Sequence, residues 1–143
     1  MPSLLLDCKT GWRNFQGQCY QSIHSYLTQF EAEEACIKQN GSLVSIHTSD
    51  ENEEVKSLLK SESGWLNGRR IDDGWVWSDG SQWDWEQWAP DEPKDGRDCL
   101  KMTGGQWLSA YCHEKDWAFT CKIGVEGFVK PGNFKCVKQI GLL

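Results

Sequence analysis

Among its 143 residues the chain has no apolar run long enough to cross a membrane, and its opening "MPSLLL" is too short for the core of an export signal. No C-x-x-C pair occurs among its seven cysteines, which argues against a zinc ribbon and a thioredoxin-like redox motif. Basic residues are in deficit: the formal net charge is −6, so nucleic acid, whose phosphates need a basic face, is not a main partner. Histidine is scarce and scattered. His24, His47 and His113 lie far apart in sequence, none beside a nucleophile motif, and with most cysteines expected in disulfides nothing points to an enzyme. Cys112-His113-Glu114 has the look of metal chemistry, but adjacent residues rarely chelate one ion, and a disulfide cysteine beside two surface residues is the simpler reading.

What is present points to export. Seven cysteines in a chain of this size suit an oxidising compartment, so the protein is expected to be secreted or extracellular, with an export signal removed or as a piece of a larger ectodomain. Nine tryptophans are a heavy load, and each must join a core or a contact surface. The length suits one domain with a real core. Residues 1–121 carry 11 basic and 20 acidic side chains, a net −9, whereas residues 122–143 carry 4 and 1, a net +3. The expected organisation is therefore a domain over 1–121 and a basic C-terminal tail over 122–143.

Local patterns give the elements. Cys8 and Cys19 flank "NFQG" in what reads as a hairpin closed by a disulfide. "TQFEAEEACIKQNG" reads as a helix: Thr28 and Glu31 have capping-box spacing, Ala32, Ala35 and Cys36 share a face, and Gly41 is a stop. Ser42 to Ile46 reads as a short buried strand. "TSDENEEVKSLLK" is a second helix, with Thr48 and Glu51 repeating the cap, acids in the first turn, and Val55, Leu58 and Leu59 facing inward. "WVWSDGSQWDWEQW" alternates aromatic and polar residues about an Asp-Gly turn and reads as a hairpin; "DCLKMTGGQWLSAYC" reads as another, turning at Gly104-Gly105, and "WAFTCKI" closes as a strand. Helices early and strands late indicate an α+β domain.

Taken in order, "GW…F…CY", the helix with Cys36, "LVSI", "WLNG", "WVWSDGS", "W…P…DC", "GGQW" and "AFTC" resemble the C-type lectin-like domain over about Cys8 to Cys121. Asn67 stands where that family usually has glycine. The resemblance implies two helices flanking antiparallel sheets with a long loop region. It also implies the disulfides Cys8–Cys19, Cys36–Cys121 and Cys99–Cys112, which leaves Cys136 for an intermolecular bond and a disulfide-linked homodimer.

In sugar-binding members of that family a calcium ion on the long loop is held by a Glu-Pro-Asn or Gln-Pro-Asp triplet, a glutamate before Asp-Cys, and an Asn-Asp pair after a tryptophan. Calcium wants six to eight oxygens, several of them carboxylate. Counted from Trp88, the triplet here is Glu92-Pro93-Lys94; counted back from Cys99, Ala89-Pro90-Asp91 could take its place. In both registers Arg97 stands for the glutamate, and Leu108 and Ser109 follow Trp107. The cluster has gained cations and lost oxygens, so no calcium is expected there and no cofactor is implied. At an auxiliary calcium position of some relatives the matching residues are Ser45, His47, Glu51 and Lys122, where Lys122 either puts its ammonium in the ion's place or is a solvated lysine on a strand end.

The expected function is a calcium-independent recognition module for a protein or glycan. The alternative is a carbohydrate-binding lectin that grips its ligand through Glu92, Lys94, Arg97 and nearby tryptophans, with Ser109 keeping a hydroxyl at the site. Alternation marks Trp75, Trp83 and Trp85 as surface candidates, whereas the resemblance implies core positions for Trp65, Trp77, Trp88 and Trp107. Asn40-Gly41-Ser42 is a sequon, making Asn40 a glycosylation candidate.

Overall fold

The computed structural model describes residues 8–124. The tail beyond Gly124, and with it Cys136, lies outside the described residues.

The chain opens with β1 (Arg13–Phe15) and β2 (Gln18–Ile23), joined by a two-residue turn in which Gln16 and Gly17 both have positive φ, the backbone twist that a tight hairpin needs. Helix α1 (Gln29–Lys38) starts at the expected cap: the Thr28 hydroxyl accepts from Glu31 N, and the Glu31 carboxylate accepts from Thr28 N. It stops where Asn40 turns to φ 69° and Gly41 passes the β-sheet so closely that a Cβ would lie 2.7 Å from Lys122 O. β3 (Ser42–Leu43) is shorter than the expected strand, although the chain stays buried through Ile46. Helix α2 (Ser49–Leu59) is capped by Thr48, and its Glu51 carboxylate accepts from His47 N instead of from the cap's own N–H.

β4 (Gly64–Ile71), β5 (Gly74–Trp77), β6 (Cys99–Thr103), β7 (Gln106–Ala110) and β8 (Ala118–Gly124) complete the sheet. Its order is β1-β2-β8-β4-β6-β7, with β3 added to β8 and β5 to β4. The α+β fold is as expected, and every strand pair among the described residues but one is antiparallel. There is a single mixed sheet, because β8 returns through its centre and pairs parallel to β4. Residues 75–88 also depart from the expected hairpin. β5 pairs with β4 through the turn at Asp72-Asp73, and beyond Trp77 the chain forms no partner strand for it, only an isolated bridge of Trp88 to Trp107. Trp75 and Trp77 alternate on the paired strand β5, but beyond Trp77 the tryptophans pack ring on ring with no strand pairing among the described residues.

The sheet carries a core on each face. One lies under α2 and holds Tyr20, Val55, Leu66, Leu100 and Trp107; the other lies under α1 and holds Ala32, Trp65 and Phe119 with the Cys36–Cys121 disulfide. Cys8–Cys19 and Cys99–Cys112 are also formed, giving the three pairings the resemblance implied. At the bulge in β4, the buried amide of Gln29 donates to Leu66 O and Gly68 O, supplying partners the neighbouring strand does not. Asn67 is 1 % exposed, and its side-chain amide makes no hydrogen bond among the described residues.

Candidate functional site

The long loop between β5 and β6 folds back over β7. Ala89 N donates to Trp107 O, and Trp107 N donates to Gln87 O, which seats the "PDEP" stretch beside the outward end of β7. That register brings three of the candidate residues together. Ser109 lies on the same face of β7 as Trp107 and is buried. Its N–H and hydroxyl both reach the Glu92 carboxylate, at 2.9 and 2.7 Å, and Lys94 N donates to the same hydroxyl at 2.8 Å. The Lys94 ammonium stands 3.9 Å from the other oxygen of Glu92. Glu92 is thus consumed inside the protein, by two hydrogen bonds and a cation, and the Glu92–Pro93 peptide is cis.

Arg97 does not join this cluster. Its guanidinium lies 4.9 Å from the centre of the Tyr111 ring, which in turn stacks on His113. The loop is held by a residue that carries no signal in the sequence: Arg70 on β4 donates to Lys94 O and Arg97 O, pairs with Asp98, and lies over Trp75. Its role depends on the β4–β6 register, which brings residue 70 opposite residue 98 and leaves no mark in the local sequence.

Trp75, Trp83 and Trp85 are half-buried against the α2-side core. Trp83 stacks on Trp77 at 4.5 Å and on Trp75 at 6.2 Å, while Trp85 meets Trp107 edge-on. Their rings pack on one another and on the core tryptophans Trp77 and Trp107 while remaining partly exposed. The most exposed tryptophan is Trp117, which alternation does not mark.

At the auxiliary position the two readings of Lys122 separate. Lys122 is 9 % exposed, and its ammonium donates to Ser45 O and to the Glu51 carboxylate, both at 2.7 Å. Tyr20 donates to the same Glu51 oxygen, and its phenol is held far above its ordinary pKa by burial first and by Glu51 second. The ammonium is a built-in cation for this carboxylate. His47 turns away to Asp84, 2.8 Å distant, and that hydrogen bond keeps the Asp84 carboxyl below its ordinary pKa. Ser45 Oγ donates to Asp79. Among the described residues no group of His, Cys, Asp and Glu is gathered in a way that could hold a metal ion.

This architecture and loop define a lectin fold, and the chain matches the lectin C-type domain over residues 25–123, to which family it belongs. It is 35 % identical over 120 residues to the human low affinity immunoglobulin epsilon Fc receptor, covering 80 % of this chain and 37 % of that protein. It is 31 % identical over 134 residues to one of the chains of the snaclec coagulation factor IX/factor X-binding protein of Echis carinatus, covering 82 % of this chain and all of that one. Among solved structures, a calcium-independent type II antifreeze protein superposes with a TM-score of 0.78 at 28 % identity, covering 83 % of this chain and 95 % of the other. The chain thus spans little more than a third of the receptor's length. Members of this family are mainly recognition modules that bind glycans or proteins, not enzymes. No described helix is long and apolar enough to cross a membrane.

Proposed function

We propose that this domain is an exported recognition module that binds a protein or glycan through its long-loop face without a coordinating calcium ion. One observation carries the reading: the Glu92 carboxylate is already occupied by Ser109 N–H, Ser109 O–H and the Lys94 ammonium. A calcium ion there would have to displace a cation and two hydrogen bonds while finding few other carboxylates. The face that remains presents the half-exposed Lys94 and the Arg97–Tyr111–His113 stack, a cationic and aromatic surface suited to acidic ligands. The similarity to a calcium-independent antifreeze protein supports a working fold without the ion, and the similarity to a factor-binding snaclec supports a protein ligand.

The test is a glycan array beside a pull-down from serum or cell surfaces, each run with calcium and with chelator. Retention is expected to be the same in both buffers and lost in the double variant Lys94→Ala, Arg97→Ala. A ligand that needs calcium would overturn the reading. Salt then separates the ligand classes, since sulfated glycans gripped by two cations lose affinity steeply as salt rises, and an apolar protein contact does not. Export also makes Cys136 available for a homodimer; non-reducing electrophoresis of exported protein should then show a band of twice the mass, absent in Cys136→Ser.

A further inference from the structure

The most exposed tryptophan stands away from the long loop. The backbones of Leu27 and Asp116 bond to each other in both directions, and this bridge sets Tyr26 and Trp117 side by side. Their rings lie 4.9 Å apart, tilted by 43°, and remain 54 % and 60 % exposed. Exposed aromatic area on this scale, fixed in place by backbone bonds, has no role in the core.

Trp117 forms one wall of an open cleft of about 430 Å³, whose other walls are Ser61, Glu62, Ser63 and Thr103. The volume falls within the roughly 300–1,000 Å³ range of small-molecule sites. The cleft is firmly built. The Asp116 carboxylate accepts from Ser63 Oγ and from Trp117 N and sits 3.6 Å from the Lys101 ammonium, so the indole is anchored at its root. Ser61 and Thr103 differ from these, since neither hydroxyl has a hydrogen-bond partner among the described residues.

We infer that this cleft binds a neutral sugar ring, stacked on Trp117 and hydrogen-bonded by Ser61 and Thr103. A pyranose has an apolar C–H face for the indole and a rim of hydroxyls for the wall. An apolar peptide would bury the two free hydroxyls unpaired, at a cost. An anionic ligand would meet the Glu62 carboxylate on the wall, and the donors nearby are already committed, His24 to Glu62 at 2.7 Å and the Lys101 ammonium to Asp116. The cleft stands or falls apart from the long loop, because no residue is shared between the two sites.

The experiment is a titration of the isotopically labelled protein with cellotriose, chitotriose and mannotriose in chelator, followed by the indole N–H resonances. At least one sugar is expected to shift the Trp117 resonance saturably, while Phe30→Ala, an equally exposed aromatic on α1, leaves the affinity unchanged. Trp117→Ala should lower affinity about tenfold or more, on the scale of losing a stacked aromatic contact. Thr103→Val, which keeps shape and removes only the hydroxyl, should lower it several-fold; it carries the test if Trp117→Ala does not fold. The inference fails if none of the three sugars gives a saturable shift at millimolar concentrations, or if binding survives both variants. It also fails if the Trp117 resonance moves with protein concentration alone, which would make this face a contact between copies of the chain.

Discussion

At the residue scale, the buried Lys122 shows how a carboxylate inside the fold is balanced by an ammonium. Two charges 2.7 Å apart, both less than a tenth exposed, are stable only while each has the other. Lys122→Met should therefore cost about 2–4 kcal/mol in chemical denaturation, somewhat less than a fully isolated charge because Glu51 also sits in the first turn of α2, where the helix dipole favours a carboxylate. Adding Glu51→Gln should restore part of the loss; a double variant no more stable than the single one would show that packing, not charge, decides the site. Tyr20 makes a second prediction in the same cluster. Its folded pKa is raised, so the stability it contributes is intact below the unfolded value of about 10 and is lost as pH rises beyond it. Tyr20→Phe should flatten that alkaline decline in a pH series of denaturation midpoints. Sequence alone leaves Lys122 between two readings, because its place beside Glu51 depends on the non-local pairing of β8 with β2 and β3.

At the element scale, local chemistry was legible and non-local pairing was not. Both helix caps follow from the chain itself, since Thr28 and Thr48 need only a residue three places on to complete their bonds. Thr28→Ala should cost about 1 kcal/mol. Thr28 N–H also holds the Glu31 carboxyl below its ordinary pKa, so this contribution is present above the ordinary carboxylate range and fades as pH falls through the folded value. Denaturation of Thr28→Ala checks the cap; alanine keeps the N–H that Glu31 accepts from, so the second effect is checked by Glu31→Gln, whose cost is expected to shrink as the pH is lowered into the acid range. The Gly104-Gly105 hairpin was equally readable, as both residues adopt the positive φ that a two-residue turn requires. The stretch from Trp75 to Trp88 misled, because strand alternation and a ladder of stacked indoles place large rings at the same spacing. What distinguishes them is whether the backbone finds a partner, and β5 finds it in β4, upstream of the stretch. The same limit hid Arg70 and Trp117, whose roles come from contacts across the fold.

At the scale of the whole molecule, the ordered set of marks from Cys8 to Cys121 carried the fold, because three disulfides and two cores admit few arrangements of these elements. The response of the whole domain to calcium tests the reading of its long loop. Extracellular calcium modules bind at about 10⁻⁴–10⁻³ M. Ligand at about ten times Kd stabilises by roughly 1.4 kcal/mol, which for a domain of this size is about 3–6 °C in Tm. With Lys94 beside Glu92 and Ser109 bonded to it, Tm is expected to be unchanged when millimolar calcium replaces chelator. A rise of several degrees that Glu92→Gln abolishes would contradict this. The reciprocal experiment grafts Lys94→Asn, Arg97→Glu, Leu108→Asn and Ser109→Asp. Ser109 is buried against Glu92, so an aspartate there sets two carboxylates together with their cation removed, and the graft should melt below the parent in chelator. Calcium should then recover several degrees, because the ion supplies the charge that Lys94 supplied. If the graft is destabilised but gains nothing from calcium, then the loop backbone held by Arg70, as well as its side chains, is shaped for a domain without the ion.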